Sequence, residues 1–591
     1  MPALKKKKIL RRLLITAILL LAVFVSLPYI VSAIAKQFTS QEQKIRTDWT
    51  ENVSQLLGTD EAENMQLADA GLESDLPVIR LVPEDVEEEG FTYYDTDVQE
   101  RIRRTLEHLK TSGTDWQADS PLAVINPYGT GSNGLYLYFS TDYAASVRYT
   151  ISVENDRISD FTATAREADG KTYTRSHEIQ LIGLVPGEIN TVTLFLSGSW
   201  GNVRQQVTFT ITMPENRSGY PTALDYTEGE SSAGLSDGLY AMMRTNGYLG
   251  YGFFFDNDGI MRYEMVLEGY GLDRILQYSD GTIVTCVSSS KLARINGLGQ
   301  AEQVYTLDGY TLHHDIQPGT EGKVLALAEH NGSDVVEDLV LEIDLETGEV
   351  TELLDFTALM SSYYESETRP VSVDDDFFWQ AGEEDWIHLN TLQYLEDGDS
   401  LIVSSRETST IIKVSDIHGT PRIDWLAGDS SFWEDTAYED LCLTQEGEFV
   451  PQYGQHTVEY AGPGEEDGVY YLRMFNNNYW SLNTRDYEPE LDESVGTGLY
   501  QSGNEVSQVY VYRIDENSRS FRLEDSFAVP YSSIVSSAAP AENADNWIVN
   551  SGMAKVFGEY DSSGTLIRQY AYTCDMQGYR TFKYTMEGFW F

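Results

Sequence analysis

Among the eight histidines of this chain, His314, His388 and His456 share a setting: each opens a stretch that begins with a polar strand, turns at glycine and continues in apolar strands. Arg406 closes a strand in the same stretch as His388. Imidazoles gathered with a guanidinium can do three kinds of chemistry. They can hold zinc or iron, with Asp315 and Asp385 completing the ligands. A guanidinium repels a dication, however, and no H-x-H or H-x-x-x-H spacing is present, so no metal is expected. They can serve a serine or cysteine nucleophile, but the chain has neither a G-x-S-x-G elbow nor a C/S-x-P-x-R segment. The third is transfer of an anionic group through nitrogen. Imidazole, with a reference pKa of about 6.5, offers a lone pair at neutral pH. It can carry a labile N-linked group. Arg406 and the remaining histidines would donate to oxygens over which negative charge is spread.

These residues are distant in sequence, so a repeating architecture has to bring them together. His314-Asp-Ile-Gln-Pro-Gly is followed by Val324-Leu-Ala-Leu and Leu339-Val-Leu-Glu-Ile-Asp344; His388 and His456 head two further copies. Segments near Gly238, Ile275 and Ile534 follow the same outline, making six units from about Gly219 onward and predicting a six-bladed β-propeller over 219–591. The first strand of each blade lines the axis, so His314, His388 and His456 converge there. Adjacent strand residues face opposite sides, which leaves His313 and His314 as alternatives for the inward position.

Upstream, period-two segments such as Gly134–Phe139, Ser146–Val153, Thr191–Leu196 and Val207–Thr212 predict a β-sandwich over 76–218. Residues 36–75 are polar and acidic and read as a stalk. Over 1–35, Lys5–Lys8, Arg11 and Arg12 precede an apolar run from Leu13 to Ala35, the pattern of an export signal or signal-anchor helix. The expected location is therefore extracytoplasmic, held at the membrane by that helix or secreted after cleavage near Ala35. The whole chain is then all-β apart from this helix.

A net charge of −54 argues against a nucleic-acid partner, because the surface repels phosphate backbones. It also means that an anionic substrate must be met by cations concentrated locally. Cys286, Cys442 and Cys574 are too far apart to indicate a disulfide framework or metal knuckle. A homodimer is compatible with the sequence, though nothing in it requires one.

Asp385-Trp-Ile-His388-Leu-Asn390-Thr391 and Asp399-Ser-Leu-Ile-Val-Ser-Ser-Arg406 resemble the D-W-x-H-x-N-S and D-S-I-I-x-S-S-R segments of the bacterial aryl-sulfate sulfotransferases. His313-His314-Asp315-Ile316 is similar to their H-H-D/E segment, and Gln455-His456-Thr457 to the segment bearing the histidine that becomes sulfated. Thr391 stands where the family commonly has Ser, and Cys442 lacks the nearby disulfide partner of better-known members. The resemblance implies an enzyme that takes sulfuryl groups from aryl sulfates and gives them to phenols by a ping-pong route, with no cofactor and no nucleotide sulfate donor. It implies His456 as nucleophile. Arg406, His314 and Asn390 would then hold the sulfuryl oxygens, and His388 would serve the bridging oxygen as acid and base; the roles of His388 and His314 are interchangeable at this level. A propeller acting as an extracellular binding scaffold or adhesin is the alternative, but a scaffold has no need of three such histidines with Arg406.

Overall fold

The computed structural model describes residues 42–43, 53–84, 93–246, 249–271, 273–366, 383–396, 398–574 and 577–591. The apolar run of 13–35, expected to be an export or anchor helix, lies outside them. No helix among the described residues is long and apolar enough to cross a membrane.

The amino-terminal unit is built on one long strand, Leu135–Val153, which serves two sheets. Its first half pairs with Leu122–Ile125 and Thr174–Leu181, and its second half with Ile189–Ser197 and Phe161–Thr164. Period-two alternation turns Val147, Tyr149 and Ile151 inward against Val192, Leu194 and Leu196, and the next strand adds Val207, Phe209 and Ile211. The expected stalk differs here: Gly58–Asp60 and Met65–Asp69 are strands, the second paired with Val78–Pro83. Exposed Gln66 alternates with buried Met65 and Leu67, so the polar composition belongs to the solvent face of a sheet edge rather than to a spacer. A helix missing from the sequence reading, Thr96–Lys110, covers that sheet. Asp95 caps its first turn, and Val98, Ile102, Leu106 and Leu109 recur at helical spacing into an apolar cluster with Met65, Leu81 and Val124.

The rest forms six blades, four of four strands and two of five, as the six units of the repeat pattern predict. Blades 2, 3 and 4 are continuous in sequence, running from Ile275–Gln277 to Ala301–Thr306, from Tyr310–Pro318 to Val350–Asp355 and from Leu389–Leu395 to Arg422–Ala427. Blade 5 runs from His456–Pro463 to Ser520–Val529, with Thr444–Gln445 added in parallel at its outer edge. Blades 1 and 6 close the ring from both ends of the chain. The carboxyl-terminal strand Phe582–Tyr584 is the inner strand of blade 1, paired with Leu239–Asn246. Asp225–Glu228 is the outer strand of blade 6, which otherwise runs from Ser537–Pro540 to Leu566–Ala571. Each gap between neighbouring blades holds its own apolar cluster, so the ring is supported all round.

At the mouth of the inner strands the backbone departs from regular β geometry at equivalent places. Asp273, His314, His388, Thr457 and Ser536 have φ of 62°, 57°, 47°, 54° and 94°. The pairing register slips between Leu312 and Ile316, between Leu389 and Thr391, and between His456 and Glu459. A left-handed non-glycine residue costs of order 1 kcal/mol or more and persists only where its surroundings hold it. Bulges of this kind re-aim side chains, and here they do so at the three histidines.

Candidate active site

The bulge in blade 3 resolves the choice between His313 and His314. Strict alternation does not apply through residues 313–315. The His314 ring meets His388 with centroids 4.8 Å apart and Tyr579 at 5.4 Å, while His313 stands behind it with Nδ1 2.9 Å from His314 Nδ1. Burial, reinforced by the charges of His388 and Arg580, holds His314 well below the ordinary imidazole range, and burial takes His313 down to about 3.

His388 is in the opposite state. Burial disfavours its charge, but Asp385 Oδ2 lies 2.5 Å and Glu337 Oε2 2.7 Å from Nδ1, and the two carboxylates raise it to about 10. Glu337 sits just before the third strand of blade 3 in a left-handed conformation, and nothing in the sequence marks it. Two sets of ligand atoms cluster here, His313 with His314 and Glu337, and Glu337 with Asp385 and His388. Ligands sharing a tetrahedral zinc at 2.0–2.2 Å lie about 3.4 Å apart. The 2.5 Å approach of Asp385 is that of a proton-sharing hydrogen bond and Glu337 adds an ion pair at the same nitrogen, so Glu337, Asp385 and His388 fit an imidazolium held by two carboxylates better than a shared metal.

His456 is 2% exposed, and burial lowers it to about 3, with the charges of His388, Arg580 and Arg406 acting in the same direction. It is therefore a neutral imidazole at neutral pH. Its Nδ1 lies 3.0 Å from Gly454 O and 2.8 Å from Asn477 Oδ1, and its ring faces Tyr579 edge-on at 6.3 Å. Arg406 is buried beside it. The Arg406 backbone N–H donates to His388 O at 3.0 Å, and its guanidinium lies 3.3 Å from Glu407 Oε2. Glu407 in turn accepts from the backbone and hydroxyl of Thr484, which ties Arg406 to the loop after the second strand of blade 5.

Asn390 is fully buried, and its amide donates to Gln455 O at 2.8 Å, directly before His456. In this arrangement Asn390 fastens blade 4 to the inner strand of blade 5, which begins with His456. Thr391, which stands where the family commonly has Ser, donates its hydroxyl to Asn390 Oδ1 at 3.3 Å. No disulfide joins Cys286, Cys442 or Cys574.

Tyr579 and Arg580 also belong to this centre, and like Glu337 they are marked by no sequence pattern. Arg580 is fully buried and donates to His314 O at 3.0 Å, Asp315 Oδ1 at 2.8 Å and Asn390 O at 2.7 Å, so that one guanidinium fastens three inner strands. Arg274 supplies a second cation to Asp315 at 2.7 Å. Arg580→Met is expected to cost about 3–5 kcal/mol of stability, because it strands buried carbonyls and half of the compensation of Asp315. A denaturation midpoint unchanged from wild type would contradict this.

The sequence matches the family described as Arylsulfotransferase (ASST) over residues 226–585, and the Arylsulfotransferase Ig-like domain over 122–214. No curated protein matches it. Similar solved structures include TolB from Acinetobacter baumannii, at 12% identity and a TM-score of 0.30, covering 68% of this chain and 80% of that one. The WD40 domain of Toxoplasma gondii coronin matches at 10% identity and a TM-score of 0.29, covering 60% and 78%. AztD from Citrobacter koseri matches at 9% and 0.26, covering 74% and 97%. Likeness at this level carries no functional argument.

Proposed function

Because this chain belongs to the arylsulfotransferase family, which implies sulfuryl transfer from aryl sulfates to phenols, we propose that the transfer runs in two half-reactions with His456 as carrier. The observation that carries this reading is the state of His456: buried, neutral, with Nδ1 against two acceptors and cations around it. In the first half-reaction Nε2 attacks sulfur in line with the aryl oxygen. The N–S bond forms as the S–O bond breaks, and the His388 imidazolium gives its proton to the departing phenoxide. In the second, the incoming phenol returns a proton to His388, its oxygen takes the sulfuryl group, and the N–S bond breaks. Arg406 and His314 hold the sulfuryl oxygens. Atoms and charges balance over the cycle, and no nucleotide is consumed.

The pairing of His388 with phenol has a thermodynamic basis. A phenol titrates at about 10, and a proton passes most readily between groups of matched pKa. His388, raised to about 10, meets that condition both in giving and in taking.

The test mixes purified protein with a chromogenic aryl sulfate. Without an acceptor, one equivalent of phenol per protein is expected, followed by a stop; adding a second phenol restores continuous release. Steady release without an acceptor would mean hydrolysis, and release that required both substrates from the start would exclude the carrier. The propeller is further placed outside the cytoplasmic membrane, on the strength of the basic and apolar residues 5–35. Protection of the protein from protease added to cells stripped of their outer layers would refute that placement.

A further inference from the structure

We propose that Asn477 is the residue that makes His456 a nucleophile, by committing the ring proton to Nδ1 and so leaving the lone pair on Nε2; this rests on His456 being the carrier. A neutral imidazole has one N–H and one lone pair, and the two tautomers are close in energy. Only the Nδ1–H form presents Nε2 to sulfur. Which tautomer exists depends on what faces Nδ1.

The assignment follows from groups whose hydrogen-bonding character is not in question. Gly454 O, a backbone carbonyl, is 3.0 Å from Nδ1 and can only accept. The second neighbour is the amide of Asn477, whose Oδ1 is 2.8 Å from Nδ1. An amide can in principle be turned either way. Here it cannot, because the Asn477 Nδ2 lies 2.8 Å from Ser532 O and 2.9 Å from Val535 O, two more carbonyls that can only accept. Turning the amide would set its oxygen against both of them and its NH2 against the ring. Two acceptors therefore converge on Nδ1, and the proton must be there.

The carbonyls that orient Asn477 belong to the loop that leads into blade 6, and the loop is itself secured. Ser507 Oγ and Asn477 Nδ2 both donate to Ser532 O, Ser532 Oγ donates to Ile534 O, and Ser536 Oγ donates to Ser532 Oγ. Val535 and Ser536 are left-handed, with φ of 54° and 94°, which is how the Val535 carbonyl comes to face blade 5. Asn477 is fully buried at the end of the second strand of blade 5, and the inner strand of that blade begins with His456. The state of the nucleophile is thus dictated through one amide by the backbone of the neighbouring blade. Asn477 does not touch the sulfuryl group and is a positioning residue.

The first measurement needs no substitution. Nitrogen NMR of protein labelled at histidine, with His456 assigned by its loss in His456→Gln, reads the tautomer directly. A proton on Nδ1 in the resting protein is expected; a proton on Nε2 overturns the proposal. The second measurement uses Asn477→Ala and Asn477→Ser, each checked for an intact thermal transition. The single-turnover rate of phenol release is expected to fall about tenfold, the worth of one neutral hydrogen bond, while aryl sulfate affinity stays unchanged. Gly454 O remains as an anchor and limits the loss. The His456 resonance should then show both tautomers. An unchanged rate with the Nδ1–H form retained would overturn the role of Asn477 while leaving His456 as carrier. Failure of His456 to become sulfated in wild-type protein would instead remove the underlying reading.

Discussion

His456→Ala is expected to abolish the burst of phenol from an aryl sulfate and to lower transfer by about 10⁴-fold or more, the scale on which loss of a covalent nucleophile is felt. The physical reason is that no other group near the centre can replace it. His314 and His313 are also neutral, but His314 packs against His388 and His313 stands behind it. His388 is held protonated and has no lone pair to offer. The substitution should leave aryl sulfate binding largely intact, because Arg406 and His314 remain to meet the anion. Peptide mapping after exposure to donor alone should place one sulfuryl group on His456 in the wild type and none in His456→Ala. Transfer activity close to wild type in the variant, or sulfation of a different side chain, would defeat the assignment. His456→Gln is a useful companion, since it preserves most of the buried volume and separates chemistry from packing.

His388→Gln should cost about 10² to 10⁴-fold, the range for removing a positioned acid and base, and the loss should depend on the leaving group. A nitrophenoxide departs without a proton, whereas an unsubstituted phenoxide needs one. The variant should therefore be far more impaired on phenyl sulfate than on nitrophenyl sulfate; equal losses on both would remove His388 from proton transfer. The pH dependence follows from the same groups. In the wild type, kcat/KM for phenyl sulfate requires His388 protonated and His456 neutral, so it should stay level from above about 3 to about 10 and fall beyond. Glu337→Gln removes one of the two charges that retain the proton, so the alkaline limb should move to lower pH, with Asp385 limiting the shift. Stability has the same sign. A histidine raised in the folded state contributes fully below the reference value of about 6.5 and loses that contribution as pH rises through its folded value, so the wild type should weaken towards pH 10 and Glu337→Gln less so.

The architecture could be read from the chain because propeller blades repeat: the alternation, the glycine turns and the polar opening of each unit recur often enough to count six. Blade 1 was the least legible for a topological reason. Its opening strand does not adjoin Gly238 in sequence but is Phe582–Tyr584, brought round to close the ring. That displacement is why no repeat pattern marks Tyr579 and Arg580, which shortly precede this strand: they lie at the far end of the chain from the rest of blade 1. The helix Thr96–Lys110 went unseen because its acidic first turn and its charged face, from Glu100 to Arg104, resemble the polar segments around it. Four spaced apolar residues were its only mark.

Within the site, composition and order were enough to single out His314, His388, His456 and Arg406, since imidazole and guanidinium in a chain of net charge −54 are the groups an anion requires. Side-chain direction and protonation were not encoded locally. Period-two reasoning cannot choose between His313 and His314, because the choice is made by a left-handed residue inside a bulge. The charge of His388 depends on Glu337 from the neighbouring blade, and the neutrality of His456 on burial, reinforced by cations from two other blades. Asn476-Asn477-Asn478 reads along the chain as a polar turn; the meaning of its middle residue comes from two carbonyls more than fifty positions away. A histidine's type is carried by its codon position, but its pKa and tautomer are properties of the electrostatic and hydrogen-bonding field around it. In a propeller that field is assembled from every blade at once.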